Sequence, residues 1–284
     1  MSCLQNLFLS FKRNCPAIHE LSLAQALLSQ LEQLAADNNA TTILIVRVDI
    51  GKDVGVVIDS FTFGFDAIKT EIALTKQADK NRQHIESMGP VAINMISSPG
   101  SGKTTLLEHT LDRIGDTLKI GVMEGDIETE RDAKRIRKNG VPVVQLATDG
   151  ACHLDAPLVH KGLHALEHQS KNGKFDLIFI ENMGNLVCPA TFDLGKHIRI
   201  ILVSVPEGSD KPAKYPTTFN GADMFMMTKT DLLPYFDFFV EEAEKEALRL
   251  NPDMNIMKTA APAGLGMDSW ISYLKEISKT LSGS

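Results

Sequence analysis

The stretch Ser97-Ser98-Pro99-Gly100-Ser101-Gly102-Lys103-Thr104-Thr105 decides how this chain is read. It follows an apolar run, Val91 to Ile96, whose composition predicts a buried strand, and it precedes Leu106-Leu107, spaced to open a helix. A strand, a glycine-containing loop, a Lys-Thr pair and a helix make a phosphate-binding loop. Glycines let backbone N–H groups crowd inward, and the helix N-terminus adds partial positive charge. On this reading the backbone of Gly100, Ser101, Gly102, Lys103, Thr104 and Thr105 cradles phosphate, Lys103 reaches the β- and γ-phosphates, and the Thr104 hydroxyl sits on Mg²⁺. The general pattern begins with Gly where this chain has Ser97; the rest of the core is intact.

Outward from this loop, the chain reads as an α/β protein. From Val91, apolar runs at Val91–Ile96, Lys119–Met123, Val141–Leu146, Phe175–Ile180, Ile198–Val203, Met224–Met227 and Met254–Met257 predict buried strands. Helical patterns lie between most of them, among them Thr129–Lys138, Asp155–His168, Phe238–Leu250 and Met267–Leu281. Such alternation implies a mostly parallel sheet covered by helices on both faces. Ligands in such sheets bind at the carboxyl ends of the strands.

Before the loop, Leu21, Ala24, Leu27, Leu28, Leu31 and Leu34 recur at helical spacing, Ile43–Ile50 reads as a strand, and Phe61, Phe65, Ile68 and Ile72 mark a second helix. The expected organisation is a tail at 1–17, a small α-β-α unit at 18–75, a linker or lead-in helix at 76–90 and a P-loop domain at 91–284. The 284 residues leave room for this. The net charge of −7 argues against a nucleic-acid surface. No apolar stretch is long enough for a membrane span. The first residues do not form a signal peptide, so a cytoplasmic location is expected. Four cysteines are too few for a disulfide framework, which turns attention to thiolate and metal chemistry.

Further motifs follow predicted strands. Glu124-Gly125-Asp126 offers a carboxylate, Asp126, to hold Mg²⁺ opposite Thr104, or to cap the next helix. Glu181-Asn182-Met183-Gly184 offers an acid, Glu181, to orient water or metal, and a glycine, Gly184, whose N–H can meet a γ-phosphate. Thr228-Lys229-Thr230-Asp231 fits guanine: the Asp231 carboxylate accepts from N1–H and the exocyclic amine, a donor pair adenine lacks, and the Lys229 stem covers the base. Thr259-Ala260-Ala261, after the next strand, fits the backbone contact to the base, with Ala260 as the candidate residue. The chain is thus expected to bind GTP and GDP, with Lys103, Asp126 and Glu181 as the catalytic set.

Cys152-His153 and Cys188 bring thiolate and imidazole donors suited to Zn²⁺ or Ni²⁺. One chain offers three, and two chains about a two-fold axis offer six. The alternative is a pair of structural cysteines and an ordinary histidine.

Taken together, Ser98-Pro99-Gly100-Ser101-Gly102-Lys103-Thr104-Thr105-Leu106-Leu107, Glu124-Gly125-Asp126, Cys152-His153-Leu154-Asp155-Ala156, Ile180-Glu181-Asn182-Met183-Gly184-Asn185-Leu186-Val187-Cys188-Pro189 and Lys214-Tyr215-Pro216 resemble the HypB family over residues 80–280. The resemblance implies a GTPase that dimerises with GTP and carries a nickel or zinc site from Cys152, His153 and Cys188 at the interface. It also implies nickel insertion into the [NiFe] hydrogenase large-subunit precursor alongside other maturation proteins. Residues 18–75, through His19-Glu20-Leu21 and Gly51-x-x-x-Gly55-Val56-Val57, resemble HypA, the nickel-binding partner of that family. The resemblance makes His19 a candidate nickel ligand. It departs from HypA in two ways: the His-Glu pair is internal, and the four-cysteine zinc loop is missing. Two rival readings are a metallochaperone GTPase for another enzyme, such as urease or a cobalamin enzyme, and a non-catalytic nickel-binding scaffold.

Overall fold

The computed structural model describes residues 2–4, 7–11, 20–43, 46–50, 56–126, 131–148, 150–170 and 173–281, without side chains at 2–4, 7–11, 41–42, 49–50, 126 and 131. The chain divides into two compact units, Met1–Ala73 and Leu74–Ser284.

In the first unit, α1 (Glu20–Asp37) buries Leu23, Ala24, Leu27, Leu28 and Leu31, one stripe of a helix. Phe61 completes this small core, with Ile43, Val46, Val48, Phe65 and Ile68 packed against it. The structure departs here from the sequence reading. Residues expected to form a tail include two strands, β1 (Ser2–Leu4) and β2 (Leu7–Phe11). They pair in parallel with β3 (Ala40–Ile43) and β4 (Val46–Ile50), which divide the single strand expected at 43–50. Strands of three and five residues are too short to show a period of two, so only their partners reveal them.

Helix α2 runs unbroken from Ile58 to Met88. The polar stretch expected as a linker or lead-in helix is its second half. No proline interrupts it, and it stops at Gly89, whose φ of 90° and bond from its N–H to Ile85 O make a left-handed cap.

The second unit is a seven-stranded sheet. Its strands are β5 (Val91–Ser97), β6 (Ile120–Asp126), β7 (Val143–Ala147), β8 (Leu177–Gly184), β9 (Ile198–Ser204), β10 (Met224–Thr228) and β11 (Asn255–Lys258), in the order β11-β10-β9-β5-β8-β6-β7. Every pairing is parallel, as the alternating pattern predicted. The helices are α3 (Lys103–Ile114), α4 (Arg131–Arg137), α5 (Ala156–Gln169), the short α6 (Cys188–Thr191), α7 (Lys211–Lys214) and α8 (Pro216–Asn220), then α9 (Val240–Leu250) and α10 (Met267–Leu281).

Both faces of the sheet are covered. Val91, Ile93 and Met95 of β5 face a core shared with Leu107 of α3 and Trp270 of α10. Ala92 faces the other side, with Ile85 of α2 and Val159 of α5. β5 and β8 sit centrally, so the loops at their carboxyl ends lie side by side: Ser97 pairs with Gly184. That adjacency positions the site.

Candidate nucleotide and metal site

The phosphate loop connects β5 to α3. Gly100 and Gly102 take φ of 76° and 93°, left-handed conformations that disfavour a Cβ. Gly102 is the N-cap of α3 and no side chain caps that end, so the first-turn N–H groups are left for an anion. The loop borders a cleft of about 520 Å³ that also takes in Cys152, Glu181, Asn182, Gly184, Asn185 and Lys229.

The buried Lys103 Nζ donates to Ser97 Oγ at 2.7 Å. Ser97, the departure from the usual glycine, thus gives the lysine a hydrogen-bond acceptor within the loop. Burial lowers the Lys103 pKa, against the opposing charges of Glu181 and Glu207. Thr104 Oγ1 donates to Glu181 Oε1 at 2.8 Å. Glu181 is 4% exposed, and burial pushes its carboxyl up to about 7, against the pull of Lys103 and Thr104. Its Oε2 is buried with no hydrogen-bond partner among the described residues. A hydroxyl beside a buried, under-satisfied carboxylate is a hard oxygen donor set that fits Mg²⁺ or its bound water. Asp126 ends β6, and its side chain lies outside the described residues, as does His19.

Sequence reading missed Glu207. Its Oε2 accepts from Ser101 Oγ at 2.7 Å and from Ser204 N and Oγ at 2.8 and 2.7 Å. Burial raises its pKa, but these hydrogen bonds outweigh that and hold the carboxyl below its ordinary value. A capping box at Ser204-x-x-Glu207 was the available signal. Arg135 of α4, which also lines the cleft, was missed too; it grips Glu108 with Nε and Nη2 at 3.0 and 2.5 Å.

At the other end, Thr105, Lys229, Asp231, Thr259, Ala261 and Pro262 border a pocket of about 240 Å³. The buried Thr228 Oγ1 donates to Ser101 O at 2.6 Å, pinning the base loop to the phosphate loop. Lys229 adopts φ 57°, turning the chain so that Asp231 sits at the pocket edge. Of the Thr259-Ala260-Ala261 stretch, Thr259 and Ala261 border this pocket, while the N–H of Ala260 donates to Leu265 O at 3.0 Å and the bridge between the two closes the loop.

Cys152, His153 and Cys188, distant in sequence, come together with their donor atoms all within 4.8 Å of one another. Cys152 Sγ lies 3.8 Å from His153 Nδ1. The His153 ring stacks on Phe192 at 4.0 Å and 9°, a support invisible in the sequence. Burial lowers the His153 pKa, favouring the neutral, ligating imidazole, against the opposing charge of Asp155. The neighbouring Cys188 sulfur raises the Cys152 pKa by hydrogen bonding, so a bound cation would have to displace a proton.

Asparagines join this cluster to the nucleotide cleft. The buried Asn182 Oδ1 accepts from Leu154 N at 3.2 Å and from Met183 N at 2.9 Å, tying the Cys152-His153 loop to the end of β8. Asn185 Oδ1 accepts from Val187 N and Cys188 N at 2.8 and 3.3 Å. Between them, Gly184 abuts the phosphate loop so closely that a Cβ there would lie 3.0 Å from Pro99 Cα.

Comparison with known proteins agrees with this geometry. The family profile described as "CobW/HypB/UreG, nucleotide-binding domain" matches residues 91–258, and "Hydrogenase/urease nickel incorporation, metallochaperone, hypA" matches residues 18–88. The hydrogenase maturation factor HypB of Azotobacter chroococcum is 46% identical over 200 residues, 70% of this chain and 64% of its own length. The hydrogenase/urease maturation factor HypB of Helicobacter pylori is 38% identical over 71% of this chain and 82% of its own. The chain therefore spans about two thirds of the length of the first of these relatives. The crystal structure of HypB from Archaeoglobus fulgidus superposes with a TM-score of 0.68 at 37% identity, covering 73% of this chain and 99% of that one. HypB from Helicobacter pylori in complex with nickel gives 0.70 at 37%, covering 73% and 95%. With the profile spanning more than half of its length and the glycine loop, the Lys229–Asp231 pocket and the Cys-His-Cys cluster in place, this chain belongs to the CobW/HypB/UreG family, on its HypB branch.

Proposed function

We propose that the protein is a GTP-hydrolysing metallochaperone that carries nickel as cargo and delivers it during [NiFe] hydrogenase maturation. One observation carries this reading: Cys152 borders the nucleotide cleft and also belongs to the Cys152–His153–Cys188 donor cluster. Nucleotide and cargo therefore share a wall. The names and the nickel complex of the HypB relatives support the choice of metal and client.

In this reading the Gly100–Thr105 backbone binds the phosphates, and Lys103 leaves Ser97 for the terminal phosphate oxygens. Thr104 and Glu181, with Asp126, would hold Mg²⁺, whose charge offsets that of the phosphates. Glu181, bonded by the Thr104 hydroxyl at the end of β8, would as a carboxylate orient the attacking water and take up its proton, and burial, which raises its pKa to about 7, makes it basic enough to do so near neutrality. Asp231 and Lys229 select guanine. When phosphate contacts at Gly184 change, the segment to Cys188 shifts and with it one metal ligand, which is a coupling free energy between the two sites. Two chains sharing the Cys188 edge would complete the coordination in a GTP-dependent homodimer, working in the cytoplasm with the hydrogenase precursor and other maturation proteins.

Equilibrium dialysis of nickel tests this, with GDP and with a non-hydrolysable GTP analogue, for the natural chain and Cys188→Ala. About one nickel per two chains, dependent on both nucleotide and Cys188, supports it. Equal binding under all four conditions places the cargo elsewhere and defeats the coupling. The urease branch keeps a footing in the Helicobacter pylori relative's name, so nickel loading of hydrogenase precursor should be compared with urease activation in deletion strains.

A further inference from the structure

A second group of metal-binding side chains lies apart from the residues used above. His84 of α2 and His160 and His164 of α5 have donor atoms all within 4.8 Å of one another. The ring centroids are 4.6 Å apart for His84–His164, 4.7 Å for His160–His164 and 6.0 Å for His84–His160. His84 Nε2 and His164 Nδ1 approach the same oxygen, Glu167 Oε2, at 3.2 and 3.8 Å.

The helices explain why these residues meet. Val159, Gly162, Leu163 and Leu166 seat α5 on the sheet; Gly162 lies so near that a Cβ would come within 2.5 Å of the Met123 sulfur. His160, His164 and Glu167 follow one another at spacings of four and three, along one flank of that helix. The buried Asn81 locks α2 alongside, donating to Ala156 O at 2.8 Å and Leu194 O at 3.1 Å, and His84 lies one turn further on the same face.

We propose that His84, His160, His164 and Glu167 form a binding site for one borderline divalent cation, zinc or nickel. Three imidazoles and a carboxylate are the donors such ions choose. In a tetrahedral site with metal–nitrogen bonds of about 2.0 Å, neighbouring donors lie about 3.3 Å apart. The two approaches to Glu167 Oε2 bracket that spacing, and the three imidazole donors, within 4.8 Å of one another, would draw closer on binding. An ordinary His–Glu ion pair would account for His84 Nε2 and Glu167. It leaves His84 Nδ1 and His160 Nδ1 both buried without a hydrogen-bond partner among the described residues, atoms that such a pair gives nothing to do. Glu167 also supplies the negative charge that a dication needs beside the nearby Lys80.

The test uses the full chain carrying Cys152→Ser and Cys188→Ser, so that the proposed cargo site is silent. Zinc alone, and separately nickel alone, is titrated against a chromophoric chelator, and the bound metal's first shell is read by X-ray absorption. Expected are about one equivalent per chain, a shell of nitrogen and oxygen only, at least a 100-fold loss of affinity in His160→Ala/His164→Ala, and about a tenfold loss in Glu167→Gln. Should the double variant melt early without metal, the single exposed-side change His164→Gln replaces it, with at least a tenfold loss expected. No retained equivalent in the cysteine-free chain overturns the proposal. So does affinity that is indifferent to the histidine changes. Neither result bears on the nucleotide-coupled site, whose failure shows in the Cys188→Ala dialysis.

Discussion

The Thr104 hydroxyl donates a 2.8 Å hydrogen bond to Glu181 Oε1, joining the first turn of α3 to the end of β8. The bond spans 77 residues of sequence and sits where the phosphates and Mg²⁺ are proposed to bind. This acid is buried, and burial raises its pKa from 4.5 to about 7 against the pull of Lys103 and Thr104. The folded state therefore holds its proton where the unfolded chain releases it. The stabilising contribution is complete below pH 4.5 and disappears as pH rises through about 7. Its size is on the order of 3 kcal/mol. Urea unfolding of the nucleotide-free protein from pH 4.5 to 8 should show that decline, and Glu181→Gln should flatten it. An unchanged slope in the variant would assign the pH dependence to other groups.

Gly184 is held against Pro99 too closely for a side chain, with a built Cβ at 3.0 Å from Pro99 Cα and Cγ. Gly184→Ala must push the phosphate loop or the segment leading to Cys188 by a few tenths of an ångström. Hydrolysis is expected to fall about tenfold, because small misplacements at reacting centres are costly. The nickel stoichiometry should also lose its dependence on nucleotide. Single-turnover hydrolysis and dialysis on the same sample measure both.

Asp231 stands at the edge of the base pocket as an acceptor pair. Asp231→Asn turns one acceptor into a donor, which guanine's amine cannot satisfy but the C2 carbonyl of xanthine can. GTP affinity should fall by about 100-fold while XTP affinity rises, the result of an unpaired polar contact in a built site. Competition against a fluorescent nucleotide reads both. Loss of binding to both bases would mean that Asp231 acts on the fold of the pocket instead.

Asn182 joins the Cys152-His153 loop to the end of β8. Asn182→Leu keeps the volume but strips the acceptor from Leu154 N–H and Met183 N–H, both of which it now satisfies. The expected cost is about 2 kcal/mol of stability. Nickel affinity at the Cys152 cluster should drop about tenfold as the Cys152-His153 loop loosens. Urea melts and nickel titration separate the two effects.

Much of this molecule was legible in the sequence. Apolar runs marked all seven strands of the main sheet, but the last, β11, is not the buried strand expected: it lies at the sheet edge as Asn255–Lys258, with both end residues exposed and the two between them half-buried, because an edge strand has a neighbour on one side only. Gly100-x-Gly102-Lys103-Thr104 and Thr228-Lys229-x-Asp231 stood out as motifs because each sets particular residue types at fixed spacing, and the fold brings them to the two neighbouring pockets described above. Tertiary structure alone decided the rest. Short strands β1 and β2 exist through their partners. Glu207 matters because Ser101 lies across from it, 106 residues away in sequence. His84 met His160 and His164 only because α2 and α5 pack side by side. In each case the deciding partner is remote in the chain, and local sequence carries periodicity and residue chemistry but not the identity of what a side chain will face.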